Sequence, residues 1–438
     1  MKTAPKSLRL HIALFGRTNV GKSSFLNLIA GQEVSIVSEQ PGTTTDVVEK
    51  TMELLPIGPV VFIDTAGLDD TTLLGGKRIE KTEKVFDRAD VILLICEGNQ
   101  FGEYERAVCE KANNTPVIRI ANKSDLSDLS DPSYLPCNST DRASREKVLS
   151  ALKTRLLEVC PEAFLQPPPL IGDLVKPGGI AVLIVPIDLQ APKGRLILPQ
   201  VSTIRDALDN DASALVVKER EYAHLLNQLK TPPDLVICDS QVVLKMIGDT
   251  PKEIPCTTFS ILFARLKGDL PTFAAGAAAI DRLKDGDKVL IAESCSHHAA
   301  EDDIGRVKIP RWLRQYCGCN LQIDVFTGRD FPDHLNEYSL VVQCGGCMHN
   351  RREILSRIEK CEATGVPITN YGLCISQTQG VLKRVLSPFP AALDAYDNGL
   401  KRNRLLDQSL PHGHQGDRED QRGEDDQVGD RCHALQDG

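Results

Sequence analysis

No apolar run in these 438 residues approaches the roughly 20 that a membrane-spanning helix needs, which argues against a spanning segment. Positive charge is also in short supply. Lys and Arg number 51 against 60 Asp and Glu, and a formal net charge of −9 argues against a general nucleic-acid binder. The N-terminus lacks the organisation of a secretory signal and reaches its first apolar run within about ten residues. A cytoplasmic protein is therefore expected. Its 14 cysteines are then thiols or metal ligands, not a disulfide framework. What remains is ordinary for a globular chain: 41% apolar and 25% charged residues, over a length that suits two or three domains.

The most informative stretch is Gly16-Arg17-Thr18-Asn19-Val20-Gly21-Lys22-Ser23, which fits the phosphate-binding pattern G-x-x-x-x-G-K-[ST]. An apolar run, Leu8 to Phe15, leads into it, and a helical pattern (Phe25, Leu26, Leu28, Ile29) leads out. Glycines let backbone N–H groups converge on phosphate oxygens, and the following helix aims its positive end at them. Lys22 is placed to reach the β- and γ-phosphates, and the Ser23 hydroxyl to ligate Mg²⁺. Gly16, Asn19, Val20, Gly21, Lys22, Ser23 and Ser24 are the candidate phosphate contacts. A plain glycine turn would require neither Lys nor Ser at those positions.

Two further signatures follow in order. Asp64-Thr65-Ala66-Gly67 closes the apolar strand Val60 to Ile63; Asp64 can hold Mg²⁺ through water, and the Gly67 amide can sense the γ-phosphate. Asn122-Lys123-Ser124-Asp125 ends the strand Pro116 to Ile120. The Asp125 carboxylate would accept from guanine N1–H and the 2-amino group, which adenine cannot offer, so GTP is preferred over ATP. Ser139 is a weaker candidate for a base-loop contact. Between the first two motifs, Pro41-Gly42-Thr43-Thr44-Thr45-Asp46 reads as a switch segment in which Thr44 closes over Mg²⁺. Lys22, Thr44, Asp64 and Gly67 are thus the candidate catalytic set. Leu68, not Gln, follows the second motif, and the residue that positions the hydrolytic water is unassigned.

G-R-T-N-V-G-K-S-S and P-G-T-T-T-D resemble the first two motifs of the TrmE–Era group of GTPases. In potassium-dependent members of that group an asparagine at the position of Asn19 helps bind K⁺ beside the phosphates. The resemblance implies K⁺ as a cofactor here.

Residues 1–165 alternate apolar strands with amphipathic helices and predict an α/β, doubly wound, parallel-sheet GTP-binding domain. Pro161 and Pro167-Pro168-Pro169 read as a linker. Residues 170–267 form a second α/β unit with strands at Ile180–Val185, Arg195–Leu198, Ala214–Val217 and Leu235–Cys238 and no catalytic constellation; dimerisation through an open strand edge is expected. Residues 268–400 form a third, with helix Phe273–Leu283, strand Lys288–Ala292, strand Ser339–Val342, helix Arg351–Ile358 and strand Val366–Thr369. Residues 403–438 are polar and read as a disordered tail.

In the third unit Cys344-Gly345-Gly346-Cys347 directly follows one strand and Cys295-Ser296-His297-His298 another. Parallel strands would bring both groups to one carboxyl edge, where ligands gather in open α/β sheets. Three thiolates with an optional nitrogen from His297 suit a [4Fe–4S] cluster or zinc, with thiol–disulfide exchange as the rival for a lone C-x-x-C. Cys96, Cys238 and Cys374 read as core residues, while Cys317 and Cys319 are left without a role.

A GTPase joined to C-x-H and C-G-G-C resembles the HydF family of [FeFe]-hydrogenase maturation GTPases over about residues 8 to 390. Gly31-Gln32-Glu33-Val34, Ser202-Thr203-Ile204-Arg205-Asp206, Asn350-Arg351-Arg352-Glu353 and Pro367-Ile368-Thr369-Asn370-Tyr371-Gly372 add to the likeness. The family pattern C-x-H followed by H-C-x-x-C is matched by Cys295, His297, Cys344 and Cys347, but Gln343 stands where the family has histidine. The resemblance implies a [4Fe–4S] scaffold on which a transient diiron subcluster is assembled and passed to apo-[FeFe]-hydrogenase. Radical-SAM maturases of the HydE and HydG types would be partners, and the protein a homodimer. Two other readings stay open: a ribosome- or tRNA-associated GTPase, and a zinc-stabilised GTPase switch.

Overall fold

Leu10 to Phe15 are six consecutive buried residues, the signature of a strand covered on both faces. They form β1 at the centre of the first sheet. The computed structural model describes residues 6–31, 48–65, 84–126, 131–161, 164, 169–186, 196–294, 303–332 and 334–408. The first sheet holds β1 (Leu10–Phe15), β2 (Val48–Leu54), β3 (Gly58–Asp64), β4 (Val91–Glu97), β5 (Val117–Asn122) and β6 (Tyr134–Pro136), in the order β2-β3-β1-β4-β5-β6. Five strands are parallel; β2 runs antiparallel to β3 at the edge, so the sheet is mixed where an all-parallel one was expected. The reason is local. A turn of three residues joins β2 to β3, and only antiparallel neighbours can be linked so tightly.

The second sheet holds β7 (Ile180–Ile184), β8 (Ser213–Val217), β9 (Leu235–Cys238) and β10 (Cys256–Thr258) in the order β10-β9-β7-β8. The third holds β11 (Lys288–Ala292), β12 (Gln322–Phe326), β13 (Leu340–Gln343) and β14 (Ile368–Asn370) in the order β12-β11-β13-β14. Every pairing in both sheets is parallel. The two sheets share one apolar core, in which Ile237 and Phe263 belong to the same cluster as Leu290, Val341 and Ile358.

Three expectations are corrected. Leu198 is not in a strand: it opens the helix Leu198–Asp209, where Pro199 sits in the first turn and needs no N–H partner. Arg195 lies outside the described residues. The helix expected over Phe273–Leu283 begins earlier, at Leu270, where the Asp269 side chain accepts from Thr272 N at 2.8 Å; it gives way to a 3-10 turn at Ala279–Arg282. Asn403 to Gln408 are not disordered but close the helix Pro390–Gln408. Asn403 Nδ2 donates to Ala278 O at 2.7 Å, which fastens this polar end to the helix Leu270–Ala278. Residues 409–438 lie outside the described residues.

The first and third units touch through specific polar contacts. Asn350 Nδ2 donates to Arg88 O at 2.8 Å, Ser356 Oγ to Asp87 Oδ1 at 2.7 Å, and Lys360 Nζ to Asp87 Oδ2 at 2.6 Å. Asn350 does double duty, since its Oδ1 also caps the helix Arg351–Thr364 by accepting from Glu353 N. No helix among the described residues is long and apolar enough to cross a membrane.

Candidate functional site

The phosphate loop joins β1 to the helix Lys22–Ala30 and is held by backbone conformations few residues tolerate. Asn19 has φ of 61° and Gly21 has φ of 98°. Asparagine is among the residues that accept the left-handed region, which suits Asn19 to this turn. A Cβ on Gly21 would meet Asn122 Nδ2 at 2.3 Å, and one on Gly16 would meet Ile95 O at 2.5 Å. Asn122 is the strut of the site. Its Nδ2 donates to Val20 O at 2.8 Å and its Oδ1 accepts from Ser139 N at 3.0 Å, tying the loop to the segment that carries Ser139.

Lys22 is buried, and its Nζ donates to Gly16 O at 2.7 Å and Arg17 O at 2.9 Å, across the mouth of the loop. Ser23 Oγ donates to Asp64 Oδ2 at 2.7 Å. A hydroxyl and a carboxylate meeting at the loop are hard oxygen donors of the kind Mg²⁺ takes, so these two residues fit the ion. Ser24 is half-buried beside Ser23 on the first turn of the helix. Lys123 has φ of 54° and pairs with Glu97 at 2.9 Å, while Asp125 is exposed on a 3-10 turn fixed by Ser124 N donating to Cys137 O at 3.0 Å. Thr44 and Gly67 lie outside the described residues.

Sequence reading missed the supports. Tyr104 OH accepts from Gly16 N at 3.1 Å, and Arg17 makes a two-pronged bond to Glu105 at 2.9 and 2.8 Å. Burial raises the Glu105 pKa, but the Arg17 hydrogen bond and the Gly102 amide together hold it below the usual carboxylate value. These contacts span 88 positions of sequence and leave no local pattern.

Cys344 and Cys347 stand at the third sheet. Its strand order reverses direction between β11 and β13, and a switch point of that kind opens a crevice at the strands' carboxyl ends. Cys344 stands one residue past β13, and its N donates to Ala292 O at 2.9 Å, extending the ladder. Ser294, two residues past β11, donates its N–H to Cys344 Sγ at 3.0 Å, and its Oγ lies 2.9 Å from the same sulfur. Gly346, with φ of 65°, turns the loop so that Cys347 emerges exposed. Cys295 follows Ser294 directly in the chain, but Cys295 and His297 themselves lie outside the described residues, as does His298. Among the described residues no group of three or more metal-binding side chains is gathered.

Gln343 does not offer its oxygen to this site. It is buried at the end of β13, with Oε1 accepting from Arg357 Nη1 at 2.8 Å and Nε2 3.7 Å from Cys344 Sγ. His349 is buried behind the loop, its Nδ1 3.2 Å from Ser294 Oγ; burial and then the Arg357 charge push its pKa down to about 2, so the ring is neutral. Lys267, the last residue of the helix Phe259–Lys267, donates to Gly346 O at 2.7 Å and His349 O at 2.9 Å. Cys317 and Cys319 turn away to backbone, with sulfurs donating to Leu313 O at 2.8 Å and Leu283 O at 3.4 Å. Cys96, Cys238 and Cys374 are core residues whose thiols burial pushes well up.

Comparison with known proteins divides along the same chain. Residues 11–123 match the 50S ribosome-binding GTPase family, residues 170–268 the hydrogen maturase F dimerization domain, and residues 271–388 the hydrogen maturase F tetramerization domain. The unit assigned to cluster binding is therefore matched by an oligomerisation domain. Curated relatives match the GTPase part alone. The tRNA modification GTPase MnmE of Prochlorococcus marinus (strain NATL1A) is 42% identical over 128 residues, which are 28% of this chain and 27% of that protein. MnmE of Nitrosomonas europaea is 40% identical over 121 residues, 27% of each chain. The chain thus spans about a quarter of the curated relatives it matches. With a GTPase domain followed in order by two domains of hydrogen maturase F, the protein belongs to the HydF-type hydrogenase maturation GTPases.

Proposed function

We propose that the protein hydrolyses GTP in its first unit and holds an iron–sulfur cluster in its third, on which the diiron subcluster of [FeFe]-hydrogenase is carried for delivery to the apo-enzyme. Lys22 would neutralise charge on the β- and γ-phosphates while Ser23 and Asp64 hold Mg²⁺. Asn122 keeps loop and base site in register, and Asp125 reads guanine. Asn19 joins the phosphate side and is the candidate K⁺ ligand. Thr44 and Gly67 are proposed to close over Mg²⁺ and the γ-phosphate.

The observation that carries the cluster assignment is the contact of Ser294 with Cys344 Sγ. It brings the chain neighbour of Cys295 against the first sulfur of the C-x-x-C loop, so Cys295, Cys344 and Cys347 are proposed as the three thiolate ligands, with His297 beside them. Soft sulfur donors on a glycine turn suit iron–sulfur binding. When bound, a [4Fe–4S] cluster supplies an iron with an exchangeable position for the diiron cargo. The chain's own part would be to hold three thiolates at a switch point, with the Gln343 oxygen engaged by Arg357. HydE- and HydG-type radical-SAM maturases and apo-hydrogenase are the proposed partners, in the cytoplasm, with a homodimer as the minimal assembly. Anaerobic reconstitution with ferrous iron and sulfide tests the reading: visible absorption lost in Cys344→Ser supports it, and full iron content in that variant opposes it.

A further inference from the structure

Lys267 is 2% exposed, and among the described residues no carboxylate lies within 4.0 Å of its ammonium. All three of its protons are used, on Gly346 O at 2.7 Å, His349 O at 2.9 Å and Ser7 Oγ at 3.2 Å. Those acceptors are neutral. They satisfy the donors, but they do not cancel a buried positive charge, which is costly when left without a counter-charge. The groups facing it that can carry negative charge are the Cys347 and Cys344 sulfurs and the Glu353 carboxyl. Glu353 is shared with Arg329 at 3.6 Å and Cys344 also faces the Arg357 guanidinium, which leaves Cys347 as the sulfur most dependent on Lys267.

We propose that Lys267 is a positioning residue and the built-in counter-cation of the cysteine centre: it pins the Gly346–His349 turn through two carbonyls and offsets the negative charge that ligated thiolates bring. The inference rests on the cluster reading above and adds to it a residue that sets the reduction potential. Reduction adds one electron, drawn from an external reductant such as dithionite, and breaks no bond at Lys267. A fixed positive charge beside the sulfurs stabilises the more negative, reduced form, so its removal makes reduction harder.

The test uses the full chain, reconstituted anaerobically with ferrous iron and sulfide, and follows midpoint potential by a dithionite titration read by absorption and EPR. Lys267→Met is expected to shift the midpoint to a more negative value while GTP hydrolysis stays at the wild-type rate, and Lys267→Arg, which keeps the charge, to return it toward wild type. Should the Met variant lose its circular dichroism, Lys267→Gln, which keeps a donor for Gly346 O, replaces it with the same expected shift. An unmoved midpoint in the uncharged variant, or an equal shift in the Arg variant, overturns the inference while leaving the cluster reading intact. A wild type that takes up no iron defeats the cluster reading itself.

Discussion

Strands β7 to β10 and strands β11 to β14 are laid out alike. In each sheet the first strand lies between the second and the third, the fourth lies outside the third, and all pairings are parallel. Both therefore have a switch point between their first and third strands. Cysteine stands near that point in both, with opposite consequences. Cys238 is the last residue of β9, fully buried, and burial pushes its thiol well up. Cys344 comes one residue after β13 and accepts from the Ser294 N–H. A single step past the strand end separates a core thiol from a candidate ligand. The shared frame supplies a place, and the loop residues supply the chemistry.

The largest expected effect follows from that contrast. Cys344→Ser and Cys347→Ser should each lose most of the bound iron, whereas Cys238→Ser should keep the wild-type content; iron and sulfide per chain, measured after anaerobic reconstitution, decide it. Equal losses in all three would erase the distinction between the sheets. A second contrast sets the first unit against the third. Lys22→Ala should lower GTP turnover on the order of 100-fold through loss of a charge-assisted phosphate contact, with iron content unchanged. Asp125→Asn should weaken GTP and favour xanthosine nucleotides, read in a competition assay; unchanged preference for GTP would remove Asp125 from base recognition.

Smaller effects probe the scaffold. Ile291 is fully buried in β11 and Ile237 in β9, so Ile→Ala at either should cost about 2–5 kcal/mol in denaturant unfolding. Asn350→Ala removes a helix cap and should cost about 1 kcal/mol. It also removes the bond to Arg88 O, so amide exchange at Arg88 and Ala89 should quicken. Exchange that stays at the wild-type rate would show that the first and third units are held together by the Asp87 contacts instead.

Much of the fold was legible because its strands are contiguous apolar runs. β9 and β11 coincide with the runs Leu235–Cys238 and Lys288–Ala292, as parallel strands covered on both faces should. β2 was not legible, since Val-Glu-Lys-Thr-Met-Glu-Leu is a polar edge strand. The apolar Leu196-Ile197-Leu198 imitated a strand, but Pro199 and the buried Thr203 and Ala207, spaced four apart, make Leu198 the start of a helix. The helix Pro390–Gln408 looks polar as a whole, yet Ala392 and Tyr396 are buried four residues apart, and the Cβ site of Gly399 lies against Ala278 at 2.8 Å. Motif spacing exposed the phosphate loop, the N-K-x-D strut and the C-x-x-C loop. Ser294 and Lys267 were hidden because their partners are 50 and 79 positions away, where only the folded sheet brings them together.

If one chain joins a GTP site to an iron–sulfur centre, metal analysis of the wild-type protein purified without oxygen will show it. Iron with acid-labile sulfide is expected, about four irons per chain when the centre is full. Zinc in place of iron, or a protein that stays colourless after reconstitution, would contradict it.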